Sequence, residues 1–258
     1  MSQKLVIIEP IGISAAEAQA LKEKYLPDDV EMVYYETKAK DAAEQAARLK
    51  DATLVMLANS PLREDALSEG QDVKFLSVAF TGVDHVAMDY CRQQKIVVSN
   101  CSGYANEAVS ELVFGLAIGI YRKLAACDAA VREGKTRAGL LGLELSGKTF
   151  GVVGLGAIGR QTAKVAQAFG CKVLGYNRSK KNIEGVKQVD LATLLKESDI
   201  VSLHVPLTTE TKGLIGESEL ALMKPSAILI NTARGPVVDT AALAKALTDG
   251  TIAAAGID

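Results

Sequence analysis

Four cysteines are few for 258 residues, and Cys91, Cys101, Cys127 and Cys171 form no C-x-x-C pair. That excludes a disulfide framework and a cysteine-based metal site, and it reads as the reduced thiols of a cytoplasmic protein. No charge of one sign prevails: 29 basic against 31 acidic residues leave a formal net charge of −2. Nucleic acid as a partner would need a basic excess, and an anionic membrane surface a polybasic block; neither is present. Long hydrophobic runs are missing too. The longest charge-free apolar stretch near the middle, Leu112 to Tyr121, is well short of the roughly 20 residues of a bilayer span. Met1-Ser2-Gln3-Lys4 runs straight into a strand-like segment, so no signal peptide is read. The 22 glycines and 6 prolines are spread along the chain, which rules out a collagen-like or low-complexity composition. No internal repeat of solenoid period is visible.

What remains is an ordinary folded composition. Apolar residues make up 48% and charged residues 23%, enough to bury a core and too much for disorder. The length allows one large domain or two small ones. Short apolar, β-rich runs alternate with helical stretches: Leu5–Ile8, Glu31–Tyr35, Leu54–Leu57, Phe75–Val78, Ile96–Val98, Phe150–Val153, Lys172–Tyr176, Ile200–Leu203, Ala227–Ile230 and Ile252–Ile257. Several are apolar at consecutive positions, as in strands covered on both faces, which points to parallel sheets flanked by helices. The alternation predicts βαβ units and an α/β class.

Two blocks separate. Residues 1–99 make five short strand–helix units. The segment Ala105–Gly134 then reads as mostly helical, with Val109, Leu112, Val113, Leu116, Ile120 and Leu124 forming one broad apolar face, suited to burial between layers or subunits. A glycine-containing loop follows, and a second βαβ series starts at Thr149. The predicted boundary lies at Ser99–Gly103, giving domains of 1–99 and 100–258. The chain stops at Ile257-Asp258, at the end of an apolar strand. A natural chain normally continues into an element that covers such a strand, so a fragment of a longer protein is expected.

The chemistry-bearing residues begin with Gly154-Leu155-Gly156-Ala157-Ile158-Gly159, which follows the strand Phe150–Val153 and opens a helix predicted over Ala157–Phe169. In a dinucleotide-binding turn the first glycine permits the sharp bend, the second lets backbone approach the pyrophosphate, and the third lets helix and strand pack closely. Free N–H groups at the helix start face the phosphates. A Gly-rich structural turn is the alternative, and the strand–turn–helix setting argues against it. Some 20 residues on, NAD binders usually carry an acid for the ribose 2′-hydroxyl. Here the next strand ends in Tyr176-Asn177-Arg178-Ser179-Lys180-Lys181. Asn177 stands where the acid is expected, and Arg178 with Ser179 suits a 2′-phosphate. NADP is favoured, and NAD on an ordinary solvated basic loop stays open.

Asn231-Thr232-Ala233-Arg234-Gly235 follows the strand Ala227–Ile230. At the carboxyl end of a parallel strand an arginine can clamp a substrate carboxylate through two N–H bonds. A capping or ion-pair arginine is the alternative.

Taken together, Gly154–Gly159, His204-Val205-Pro206-Leu207-Thr208-Thr209-Glu210-Thr211, Met223-Lys224-Pro225, Asn231–Gly235, Val238-Asp239 and Ala254-Ala255-Gly256-Ile257-Asp258 resemble, in order and spacing, the D-isomer-specific 2-hydroxyacid dehydrogenase family. Thr81-Gly82-Val83-Asp84 resembles its substrate loop, and Asn106-Glu107-Ala108-Val109-Ser110-Glu111 the start of its domain-joining helix. The resemblance runs from about Leu5 to Asp258. It implies a flavodoxin-like substrate domain and a doubly wound Rossmann domain. It also implies hydride transfer between NAD(P)H and a small 2-oxo or 2-hydroxy acid, with hydroxypyruvate or glyoxylate ahead of 3-phosphoglycerate.

The resemblance assigns residue roles as well. Arg234 would be the catalytic arginine, and the backbone of Thr81, Gly82 and Val83 would hold the substrate carboxylate. Gly154, Gly156, Ala157, Ile158, Gly159, Asn177, Arg178 and Ser179 would meet the dinucleotide. Val109, Thr232 and Ala233 would line the nicotinamide pocket, His204, Pro206 and Thr211 the adenosine side, and Asp258 would bond the carboxamide. No metal is implied, and a homodimer through Ala105–Gly134 is.

The family's acid–base histidine and its orienting glutamate are expected after Asp258. Of the two histidines present, His204 reads as a packing residue. His85 is open to a supporting, surface or proton-transfer role. The family's C-terminal segment returns to complete its first domain, so an apolar face near residues 1–99 is expected to be exposed and the chain to have little activity. A dinucleotide-sensing, co-repressor-like binding module is the alternative function.

Overall fold

The computed structural model describes residues 3–258 and divides the chain between Tyr104 and Ala105, one residue beyond the Ser99–Gly103 boundary read from the sequence. In the first unit, β1 (Lys4–Ile7), β2 (Glu31–Tyr34), β3 (Leu54–Leu57), β4 (Phe75–Val78) and β5 (Val97–Asn100) form one parallel sheet in the order β2-β1-β3-β4-β5. This is the flavodoxin-like order. Residues pointing to opposite faces are both buried. Val6 and Ile8 join one apolar cluster with Val55, Leu57 and Leu76, whereas Leu5 and Ile7 join another with Ala18 and Val30. Two covered faces are the reason β1 reads as an unbroken apolar run. Helices α1 (Ala15–Tyr25), α2 (Ala42–Leu49), α3 (Glu64–Leu67) and α4 (Met88–Gln93) connect the strands. Ser14 and Glu17 close a capping box at the start of α1, and Asp41 caps α2, each supplying an acceptor to an otherwise orphan N–H.

The second unit opens with α5 (Asn106–Tyr121) and α6 (Leu124–Arg132). The mostly helical segment expected over Ala105–Gly134 is two helices, separated at Lys123, whose φ of +53° is left-handed. Strands β6 (Thr149–Val153), β7 (Lys172–Tyr176), β8 (Val186–Gln188), β9 (Ile200–Leu203), β10 (Ile228–Asn231) and β11 (Ala254–Ile257) form a parallel sheet in the order β11-β10-β9-β6-β7-β8. Counted within the sheet this is 6-5-4-1-2-3, the doubly wound Rossmann order. Helices α7 (Ala157–Ala168), α8 (Leu191–Glu197), α9 (Glu217–Leu222) and α10 (Thr240–Thr248) complete the unit.

The apolar face of α5 packs within this unit. Val113, Phe114, Ala117 and Tyr121 join Phe150, Val152, Ala163 and Ile230 in one buried cluster, with Phe114 stacked between Phe150 and Phe169. Burying each valine, isoleucine or phenylalanine of this cluster contributes about 1.5–3 kcal/mol.

Several strand ends move by a residue or two from the expected ones. The last strand starts at Ala254 and not at Ile252, because Ile252 sits in a bend whose neighbours bond to Ala246 and Ala227. Strand β8 went unread: Val-Lys-Gln is three residues long, on the sheet edge, and carries no apolar run to announce it.

Candidate active site

The carboxyl end of the second sheet collects most of the residues singled out from the sequence. Gly154 leaves β6 with φ +99°, and a Cβ there would meet the His204 carbonyl oxygen at 2.5 Å. A Cβ on Gly159 would lie 1.9 Å from the Gly154 carbonyl oxygen, so the third glycine is what lets α7 sit against the turn. Gly156 differs: a Cβ built there has nothing within 4 Å. The protein itself does not require that glycine, and the open space beside it is where a ligand phosphate can approach backbone. No side chain caps the first turn of α7, which leaves its N–H groups to an anion. The donor set fits a dinucleotide pyrophosphate. Arg160, in that same first turn, bonds the Leu155 carbonyl through Nε at 3.2 Å. It was not singled out from the sequence, and its place within the motif was the available signal.

The loop after β7 is braced from three directions. Asn177 Oδ1 accepts the Leu155 N–H at 3.0 Å, and Asn177 Nδ2 donates to the Ser179 carbonyl and hydroxyl at 3.0 and 3.1 Å. Gln188 on β8 donates through Nε2 to the carbonyls of Asn177 and Ser179, both at 3.1 Å, and accepts the Lys181 N–H at 2.8 Å. Asn177 therefore ties the glycine turn to the loop, and Gln188 holds the loop's shape, while Arg178 and Ser179 stay exposed. Nothing in the sequence marked Gln188, because its role depends on a strand pairing that the sequence does not display.

His204 ends β9. Its backbone N–H bonds the Val153 carbonyl at 2.7 Å and its Nε2 lies 2.9 Å from the Ser202 hydroxyl. The residue is partly buried, and burial pushes the imidazole down to about 4. It is neutral near pH 7. Thr211 closes the following loop: its hydroxyl accepts the Thr208 N–H and donates to the Pro206 carbonyl at 2.6 Å. Glu210 is held below the usual carboxylate range by the Thr208 hydroxyl first, and among lesser causes by the Arg178 charge.

After β10, Asn231 is 2% exposed and shapes the loop that carries the arginine. Its Nδ2 donates to the Arg234 carbonyl at 2.9 Å and its Oδ1 accepts the Ala233 N–H at 3.1 Å. Arg234 is half-buried and donates through Nη1 to the Ala233 carbonyl at 2.8 Å. The Thr232 hydroxyl is buried without a hydrogen-bond partner among the described residues. Asp258 is exposed beyond β11, with its N–H on the Asn231 carbonyl at 3.1 Å, and Val109 lies partly buried in the first turn of α5.

In the first unit, Thr81, Gly82 and Val83 follow β4, and Asn100 at the end of β5 donates to the Thr81 carbonyl at 2.6 Å. Asn100 was not singled out from the sequence. His85 is buried, with its ring edge-on to Phe80 at 6.5 Å between centroids. Among the described residues no group of three or more His, Cys, Asp or Glu side chains is arranged to hold a metal ion.

The profile of the NAD binding domain of D-isomer specific 2-hydroxyacid dehydrogenases matches residues 114–258. The chain belongs to the D-isomer specific 2-hydroxyacid dehydrogenase family. A glyoxylate reductase of Thermococcus litoralis is 44% identical over 217 residues, which cover 80% of this chain and 66% of that protein. Among solved structures, an acyclic imino acid reductase in complex with NADPH and D-Arg superposes with a TM-score of 0.91 at 32% identity, over 99% of this chain and 82% of that one. D-Lactate dehydrogenase of Aquifex aeolicus, complexed with NAD and lactic acid, gives 0.86 at 33% identity, over 99% and 76%. Both dinucleotides thus occur on this fold. The D-2-hydroxyacid dehydrogenase family accounts for the strand order of the second sheet and the glycine turn. No helix among the described residues is long and apolar enough to cross a membrane.

Proposed function

We infer that this chain binds NADP(H) in preference to NAD(H) and serves the interconversion of a small 2-oxo acid and its 2-hydroxy acid, glyoxylate and hydroxypyruvate ahead of 3-phosphoglycerate. The observation that carries the reading is the glycine turn: two of its glycines are required by packing and the third, Gly156, opens onto free space at a helix start. Nicotinamide, when bound, exchanges hydride with the substrate's C2. The chain's own residues bind and orient. The turn and the start of α7 take the pyrophosphate with Ala157 and Ile158, and Arg178 with Ser179 takes the 2′-phosphate. Thr232, Ala233 and Val109 border the nicotinamide, Asp258 bonds its carboxamide, and His204, Pro206 and Thr211 border the adenosine. Arg234 grips the substrate carboxylate and 2-oxo group, with the backbone of Thr81, Gly82 and Val83 as further donors.

His204 is not suited to proton transfer, since its ring is held neutral and bonded to Ser202. We assign substrate binding to residues 1–99 and dinucleotide binding to residues 100–258, and we place the chain in the cytoplasm as a homodimer. The dimer reading rests on α6, which has no buried residue and carries exposed Leu124 and Val131, followed by exposed Leu141 and Leu143; apolar side chains grouped in this way suit a partner surface.

The test is titration of NADPH and NADH against the chain and Arg178→Ala. NADPH should bind more tightly, and the substitution should cost it about 10- to 100-fold, the worth of a charge-assisted bond, with NADH unchanged. Equal affinities in the parent, unmoved by the substitution, would overturn the cofactor assignment.

A further inference from the structure

Glu9 lies two residues beyond β1 and is 1% exposed. Its Oε1 accepts the N–H groups of Ala58 and Ser60 at 2.8 and 3.0 Å, and its Oε2 accepts the Ser60 hydroxyl. Every one of these donors is on the loop after β3. No lysine or arginine pairs with it among the described residues. Arg48 bonds the adjoining Ile8 carbonyl at 2.8 Å, but its ion-pair partner is Glu44 and not Glu9. A buried glutamate without a cation is rare, because desolvation of the charge is only partly offset by hydrogen bonds.

Its place in the sheet is informative. In the order β2-β1-β3-β4-β5 the chain reverses direction across the sheet between β1 and β3, and ligands of open α/β sheets bind at the carboxyl ends of strands at that point. The substrate loop Thr81–Val83 follows β4, the next strand along. The segments Ala58–Leu62 and Ala79–Val83 contain no lysine or arginine. The first cation after them in the loop, Arg63, is bonded to the Asp84 carbonyl at 3.2 Å.

We propose that Glu9 is a specificity-determining residue. Its buried carboxylate fixes the Ala58–Ser60 loop and keeps this strand-end crevice negative, selecting 2-oxo and 2-hydroxy acids with a short uncharged tail and disfavouring those with a phosphorylated tail. This rests on the substrate reading above and sharpens it. A phosphate tail needs arginine or lysine donors; here it meets a buried carboxyl group with no lysine or arginine paired to it. Glu9 touches the loop and acts through it and through its field.

The test compares D-glycerate with 3-phosphoglycerate, which differ only in the phosphate, by calorimetric titration of the chain with NADP bound. The parent should hold D-glycerate at least tenfold more tightly. Glu9→Gln keeps the shape and the backbone acceptor while removing the charge. It should leave D-glycerate within about threefold and strengthen 3-phosphoglycerate about tenfold. A merely structural role would weaken both acids together. Asn59→Lys, at an exposed position of the same loop, should also strengthen 3-phosphoglycerate about tenfold, and it keeps the test decisive if Glu9→Gln does not fold. If D-glycerate binds and neither variant shifts the ratio, the role of Glu9 is wrong and the substrate reading stands. If neither acid binds the parent, the substrate reading falls and this inference with it.

Discussion

The two sheets of this chain carry different groups at their strand carboxyl ends. Both are parallel. In the second unit those ends carry an uncapped helix start, the space beside Gly156, and the exposed Arg178. In the first, Glu9 is buried with no lysine or arginine paired to it among the described residues, and Ala58–Leu62 and Ala79–Val83 are uncharged. On the proposed reading, one end suits a phosphate and the other does not. Strand order decides where a ligand lies, and a few loop residues decide its charge.

The sharpest way to break this comparison is at the glycines. Gly159→Ala should abolish dinucleotide binding and cost about 3 kcal/mol of stability, because its Cβ would fall 1.9 Å from the Gly154 carbonyl oxygen and packed backbone cannot give way cheaply. Gly156→Ala, with nothing within 4 Å of its Cβ, should change stability by no more than about 1 kcal/mol. It should still weaken NADPH by at least about tenfold, because the methyl occupies the ligand's approach. Urea melts and NADPH titrations of both variants check this, and equal binding losses at equal stability cost would show that Gly156 faces no ligand.

Arg234→Lys separates the substrate from the cofactor. Lysine keeps the charge but not the planar two-point grip, so 2-oxo acid turnover in the active enzyme should fall about 100-fold. NADPH affinity should stay within about twofold. A parallel loss of NADPH binding would mean that Arg234 only supports the loop.

His204 makes stability at the phosphate-suited end depend on pH. Its folded pKa, about 4, lies below the ordinary 6.5, so between those values the unfolded chain binds more protons. The contribution is therefore intact above about pH 6.5 and is lost as pH falls toward 4. Between pH 7 and 5 the loss should reach at most about 2 kcal/mol. His204→Gln should flatten that difference in urea melts. The smallest effect is expected at Gln188→Ala. Freed from the three bonds that shape it, the Asn177–Lys181 loop should lose about three- to tenfold of its preference for 2′,5′-ADP over 5′-AMP, with 5′-AMP itself unchanged.

Much of this was legible from the residues. The paired covered faces show as apolar runs such as Leu5–Ile8 and Phe150–Val153, and the glycine turn reads from its spacing after a strand, since both are patterns of period and local sterics. The break at Lys123 was not legible, because a single left-handed lysine between two helical stretches leaves no compositional mark. Strand β8 and the bracing of the cofactor loop by Gln188 were hidden for one reason: both exist only through pairing with a strand elsewhere in the chain.

By itself, then, the amino-acid order determined the α/β class, the division into two blocks, the family and the glycine turn, because each depends on neighbours within a few residues or on fixed spacing. The tertiary structure alone decided which glycine of the turn faces open space, that Asn177 engages the Leu155 N–H, and that Glu9 is buried among donors some 50 residues away with no lysine or arginine paired to it among the described residues. Those are matters of long-range approach. Burial and hydrogen-bond pairing are set by what the fold brings within about 3 Å, and a glutamate near the start of a chain carries no sign of being sealed in until its neighbours are in place.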